Sequence, residues 1–370
     1  MRNDGCREEN TSVSVPNVSG TPGVSAVNKT SKMLTRKKMA VRLLLLLLLL
    51  AGMMGVALSI GSTHIPLVTV FKTVSAQLVH PRAHSTSETS TILFSLRMPR
   101  IYLAMLVGMA LAVAGASFQA LLRNPLADPH ILGVSSGAAL AAILSIAFAG
   151  RWGIPTPVAA FVGGLITIVL VYTLGSRKGR VSAHTLILAG IIVASFFSSV
   201  IIFIQPFLSG GQLRETTFWL TGNFSSVQVP SMKWVSLVTL ATMVLIYRFA
   251  GDLNVMLIGE QEAAHLGVPV EWVKRAIFVL AALLTGLAVS LSGSIGFVGL
   301  IVPHIARMLF GNDYRLLLPS TAILGAMLTL LADLIARTIV APTELPVGAI
   351  TALAGAPVFI YLLRRDRTED

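Results

Sequence analysis

The sequence predicts an all-α polytopic membrane protein with about ten transmembrane helices, and three observations carry that prediction. Of 370 residues, 54% are hydrophobic and 12% charged, with a mean hydropathy of +0.80, so the solvent of this chain is lipid rather than water around a single core. Apolar runs recur at regular intervals, each close to the ~20 residues that cross a ~30 Å hydrocarbon layer. The basic residues sit in short clusters between those runs. A formal net charge of +12 therefore reflects membrane topology, and no nucleic-acid partner is expected.

Residues 1–35 are rich in Ser, Thr, Asn, Gly and charge, and are expected to form a disordered N-terminal tail. Met33 and Met39 are equally sensible starts. The first helix is read over 39–61, where Arg36, Lys37, Lys38 and Arg42 lead into the leucine run Leu43 to Leu50. Such a pattern also describes a cleaved signal peptide, but the run is long enough to span and is taken as an anchor. A polar region, 61–96, follows. The second span, 98–122, carries Gly108, Ala112, Gly115 and Ala116, small residues that let helices approach closely in lipid, which predicts an interior helix. Asn124-Pro125 and Asp128-Pro129 then break the chain before a third span at 132–150. Further spans are read at 155–175, 184–204, 231–250, 275–295, 297–310, 315–336 and 345–363. The 297–310 segment is short, and its glycines and Pro303 predict a broken or partly irregular helix covered by protein. Residues 36–370 make one transmembrane domain on this reading.

With the N-terminus inside, the inner side receives Arg36, Lys37 and Lys38, then Arg123, then Arg177, Lys178 and Arg180, then Lys274 and Arg275, Arg315, and finally Arg364, Arg365 and Arg367. The positive-inside bias thus puts both termini in the cytoplasm. It leaves Arg97, Arg100 and Arg337 at the outer ends of the second and ninth helices. Either they snorkel to headgroups, with Asp333 one turn before Arg337 to pair with it, or they meet carboxylates on an acidic partner.

The largest inner loop, 248–275, sets Asp252, Glu260, Gln261, Glu262, His265 and Glu271 around Leu257, Ala263, Ala264, Leu266 and Val268. It reads as short amphipathic helices stopped at Gly267 and Pro269. His304 reads as a structural histidine before a proton relay, and Glu344 as the cap of the last helix. Phe218, Trp219 and Phe224 in the outer loop 205–230 read as an interfacial aromatic belt or a short helix lying on the membrane.

The single cysteine, Cys6, excludes an intramolecular disulfide and a multi-cysteine metal site, and no cofactor is expected. Neither G-x-x-x-x-G-K-[ST] nor H-E-x-x-H occurs, so the chain is not expected to hydrolyse ATP or act as a metalloprotease.

Four ordered blocks carry a resemblance: R-x-P-R with Q-A-L-L-R-N-P-L-A-D-P and L-G-V-S-S-G-A (Arg97 to Ala138), GEQEAAHLG (Gly259 to Gly267), GFVGLIVPHIAR (Gly296 to Arg307) and ELPVGAITALAGAPVFIYLL (Glu344 to Leu363). Over residues 40–365 the chain resembles the FecCD family, the permease subunits of ABC importers for iron-siderophores, haem and vitamin B12. The resemblance implies a type II ABC importer permease with two internally related halves. It implies a second permease copy, most simply a homodimer, two ABC ATPase subunits, and a periplasmic or lipid-anchored substrate-binding protein, all in a bacterial or archaeal plasma membrane. Arg97, Arg100 and Arg337 match the family's docking arginines for the binding protein. Gly259, Glu260, Ala264, Leu266 and Gly267, in a coupling region at about 251–274, match the segment that seats in the ATPase. The fifth and tenth helices would line the path near Ser195, Ser198, Ser199, Thr351 and Ala354. The other reading is a gradient-driven secondary transporter acting alone, with its site in broken helices near the midplane.

Overall fold

The computed structural model describes residues 36–366 except 62, 64, 80–87, 131, 150–152, 178–179, 182, 226–228 and 342. The expected disordered tail, and the Lys178 and Arg367 of the charge map, lie outside the described residues. The chain divides into Met1–Ala40, of which only the first turn of a helix is described, and Val41–Asp370.

The described chain is helical apart from a hairpin of two-residue strands, β1 (Ser176–Arg177) and β2 (Arg180–Val181). In order come α1 (Arg36–Ser59), α2 (Leu67–Val79), α3 (Glu88–Thr91), a π-helical turn at Ile92–Arg97, α4 (Met98–Leu122), α5 (Val134–Ala147) and α6 (Thr156–Gly175). After the hairpin follow α7 (Ala183–Ile204), α8 (Gly210–Thr221), α9 (Val229–Arg248), α10 (Ala250–Met256), α11 (Glu260–His265), α12 (Val270–Ser292), α13 (Val298–Phe310), α14 (Tyr314–Ala336) and α15 (Val347–Asp366). Among the described residues, six helical stretches are long and apolar enough to cross a membrane, and α9 with α10, bent by 47°, makes a seventh if the bent pair is one span. The spans expected third, eighth and tenth correspond to the shorter apolar helices at Val134–Ala147, Val298–Phe310 and Val347–Ile360.

The centre is α4, whose residues are buried along nearly its whole length. Its small residues explain how. Gly108 lies against the Gly325 carbonyl and Thr329 of α14, and Gly115 lies against the Gly299 backbone of α13, so close that a Cβ at either position would overlap its neighbour. Thr329 Oγ1 also donates across the gap to the Ala104 carbonyl at 2.7 Å. Close backbone approach is how helices pair where lipid supplies no hydrophobic drive.

The region 61–96 is not simply polar: α2, α3 and the π-helical turn occupy much of it. The irregularity expected within 297–310 lies at its first residue, Phe297, which has φ 69°. Helix α13 itself continues through Pro303. Proline has no N–H to offer the carbonyl four residues back, here Gly299, and Gln119 Nε2 from α4 bonds that carbonyl at 3.3 Å. Arg307 in turn donates to Gln119 Oε1. Phe224 is fully buried in the main core, which corrects its reading as part of an interfacial belt. The side chains of Phe218 and Trp219 are half-buried on α8, a regular helix started by a Ser209–Gln212 capping box.

Candidate functional site

At the N-terminal end of α4, Arg97, Arg100 and Arg337 are 5%, 9% and 7% exposed. The reason is local: α1 ends here, and its last carbonyls have no partner within the helix. Arg97 donates to Leu58 O at 2.5 Å and Ser59 O at 3.1 Å, and also to the backbone and the hydroxyl of Thr63. Arg337 Nη2 donates to Ala57 O at 2.5 Å. A cation at a helix C-terminus is favourable, and α1 receives two.

Arg100 is placed differently. Its Nε bonds Asp333 Oδ1 at 2.8 Å and its Nη1 bonds Glu344 Oε1 at 2.7 Å. Asp333 is fully buried, whereas the Glu344 side chain is 41% exposed. Arg337 Nε lies 3.6 Å from Asp333 Oδ2, so the pair one turn apart in sequence is the longer one. Asp333's close partner stands 233 residues away in the chain. Glu344, rather than simply capping the last helix, pairs with Arg100.

At the opposite end of α4, α10 and α11 form a short helical joint. Gly259 is buried and Glu260 is half-buried, whereas Ala264, Leu266 and Gly267 are exposed. Leu257, Ile258 and Leu266 are 49%, 72% and 69% exposed, an apolar face on the chain's polar loop. Gly267 closes α11 at φ 87°, a conformation suited to glycine. The joint is tied to three long helices. Arg123, itself at φ 48°, donates to Met256 O at 2.8 Å. Buried Lys274 on α12 pairs with Glu260 at 3.1 Å and Glu271 at 3.6 Å. Asn254 donates to Asp313 at 2.7 Å and accepts from the backbone N–H of Tyr314, where α14 starts.

Among the residues expected to line a path, Ser195, Ser198 and Ser199 on α7 and Ala354 on α15 face outward from the chain. Thr351 does not: it is 4% exposed and its hydroxyl donates to Gly348 O at 3.0 Å. The outward face of α7 is otherwise apolar, with Ile192, Phe196 and Phe203 exposed.

One string, Gly133 to Gly137, has the G-x-S-x-G spacing of a serine-hydrolase elbow. That elbow needs a strand running into a helix. Here Ser135 is buried in the first turn of α5, and among the described residues no strand precedes it and its hydroxyl has no hydrogen-bond partner.

A central helix paired by glycines, a proline-bearing helix bonded to its glutamine, and a short apolar joint at one end together make a recognisable arrangement. The family model of the FecCD transport family matches residues 43–365. The chain belongs to the FecCD transport family. It is 44% identical over 319 residues to the Bacillus subtilis ABC transporter permease protein YvrB, covering 83% of this chain and 89% of that one. It is 41% identical over 285 residues to the Yersinia pestis hemin transport system permease HmuU, covering 75% and 84%. It is 40% identical to the Halobacterium salinarum cobalamin import permease BtuC, covering 77% and 76%. A solved inward-facing structure described as a metal-chelate type ABC transporter superposes with a TM-score of 0.76 at 31% identity, over 88% of this chain and 99% of that one. The fold is that of a type II ABC importer permease, and this FecCD chain is the membrane-spanning permease subunit of an ABC importer.

Proposed function

We propose that two copies of this FecCD chain enclose a path for an iron-siderophore, haem or cobalamin-type substrate, with an ABC ATPase beneath each copy and one substrate-binding protein above. The carrying observation is the joint at α10 and α11. It offers Leu257, Ile258 and Leu266 to an outside partner while Arg123, Lys274 and Asn254 anchor it to α4, α12 and α14. Apolar side chains presented this way, at the turns that end two short anchored helices, suit a groove in a second protein. ATP hydrolysis belongs to that partner. Residues 36–370 act as one permease domain with 251–274 as its coupling region, both termini lie in the cytoplasm, and the protein resides in the plasma membrane.

Binding-protein docking is assigned to the Arg97, Arg100 and Arg337 cluster. Arg97 and Arg337 are committed to the carbonyls of α1, so Arg100, beside part-exposed Glu344, is the arginine that meets a partner carboxylate. The outward serines of α7 and Ala354 of α15 give the path a weakly polar wall, too plain to select cargo. Selection then rests with the binding protein.

The test is uptake of ferric siderophore, haem and cobalamin into proteoliposomes that hold the chain with its ATPase and binding protein. ATP-dependent uptake of one class supports the reading. Uptake by the permease alone, driven by an ion gradient, would overturn it. Cysteines replacing Arg214 and His265 in a background without Cys6 should label from opposite sides of the membrane; labelling from one side would overturn the topology.

A further inference from the structure

Arg100 holds two carboxylates of unequal accessibility. Asp333, at 0% exposure, takes Nε, and Glu344, at 41%, takes Nη1. The remaining nitrogen, Nη2, is buried without a hydrogen-bond partner among the described residues. A guanidinium binds a carboxylate best through two parallel N–H donors, and neither acid is held that way here. The cluster also sets three arginines against two acids: among the described residues, Asp333 and Glu344 are the carboxylates paired with Arg100 and Arg337, and Arg97 bonds carbonyls and a hydroxyl. An exposed carboxylate on one donor is the replaceable one.

Glu344 also sits where its release would be felt. Beside it, Leu345 N–H donates to Ala336 O and Val347 N–H to Gly222 O, each at 3.0 Å. Gly348, the second residue of α15, lies against the Thr221 and Ser294 carbonyls too closely for a Cβ. The residue that occupies Arg100 is thus three residues from a helix start that is pinned to α8 and to the end of α12.

We propose that Glu344 is an internal stand-in for the docking carboxylate. In the free permease it occupies Arg100. A carboxylate on the substrate-binding protein displaces it, takes Nη1 and Nη2 together, and frees the segment leading into α15. This rests on the docking role assigned above to Arg100. The consequence has an unusual sign: Glu344 opposes docking, so its removal strengthens docking, whereas removal of a residue that merely supports the surface would weaken it.

The experiment uses the whole permease–ATPase complex in nanodiscs and its substrate-binding protein, with the dissociation constant measured across a sodium chloride series. Glu344→Gln should tighten binding by about threefold to fivefold, the scale of one part-exposed ion pair, and steepen its salt dependence. Glu344→Ala should move the same way, and serves as the second reading where the glutamine variant assembles poorly. Arg100→Glu should weaken binding strongly. If both Glu344 variants bind as wild type or more weakly while Arg100→Glu still weakens docking, the stand-in is wrong and the docking role survives. If Arg100→Glu also binds as wild type, the docking role itself is wrong.

Discussion

The two ends of α4 use basic residues alike but present opposite surfaces. At the N-terminal end, Arg97, Arg100 and Arg337 turn inward to carbonyls and carboxylates of the chain, and what remains outside is the edge of Glu344. At the C-terminal end, Arg123 and Lys274 also turn inward, but they hold up α10 and α11, and what remains outside is Leu257, Ile258 and Leu266. Charge builds structure at both ends. The difference lies in what a partner would meet. A charged rim sets how fast and how salt-sensitively partners associate, whereas buried apolar side chains set how tightly they stay.

The largest effect should come from Asp333→Ala. It leaves two buried guanidiniums without their shared carboxylate, and breaking a buried pair in this way costs about 3–5 kcal/mol. The readout is thermal unfolding of the detergent-extracted protein. An unchanged melting temperature would mean that the outer cluster is dispensable to the fold, and the contrast between the ends would collapse.

Next is Leu266→Asp, at a side chain 69% exposed in the isolated chain. Melting should hold steady while capture of the ATPase weakens by about tenfold to a hundredfold, the equivalent of ~1.5–3 kcal/mol for one leucine left unburied. Gly267→Val should also weaken capture, by another route and with some loss of melting temperature, because its φ of 87° disfavours a β-branched residue and strains the joint. Normal ATPase retention in both variants would remove the joint from the interface.

A smaller effect is expected at the strut between α11 and α12. Lys274→Glu and Glu260→Lys should each lower transport-coupled ATP hydrolysis, and the double exchange should recover part of it. The coupling energy expected is about 1 kcal/mol, read from the four-way cycle. No recovery would show that the 3.1 Å pair is incidental. Smallest is Arg97→Lys, which keeps the charge but loses the planar fork that reaches Leu58, Ser59 and Thr63. It should lower the melting point slightly, by the worth of about one hydrogen bond, ~1 kcal/mol.

What the sequence disclosed and what it hid follow one rule. The interior position of α4 was legible because Gly108 and Gly115 act locally: small residues in an apolar run have one use in lipid. The inward bonding of Arg97, Arg100 and Arg337 is not legible in the sequence because acceptors of these arginines lie 34 to 280 residues away in the chain. No spacing rule connects Arg100 to Asp333 or to Glu344. Asp333 and Arg337, one turn apart, suggested the pair that proves the longer one. The irregular turn within 297–310 sits at Phe297 and not at Pro303, because the Gly299 carbonyl that Pro303 leaves without an N–H is met by Gln119, from a helix 180 residues earlier. Helix α2 went unread because Lys72, Thr73, Ser75 and Gln77 dilute its apolar face. Thr351 was placed on a path by likeness alone, and its burial depends on how α15 is rotated.

The glycine contacts of α4 carry a last consequence. Gly115 meets the Gly299 backbone main chain to main chain, and where Gly108 meets the Gly325 carbonyl the Thr329 side chain packs into the same contact. A ratchet of one turn along such a seam would drive a methyl group or larger into peptide. Sliding of α4 along α13 or α14 is therefore opposed by the backbone itself rather than by side chains that could repack.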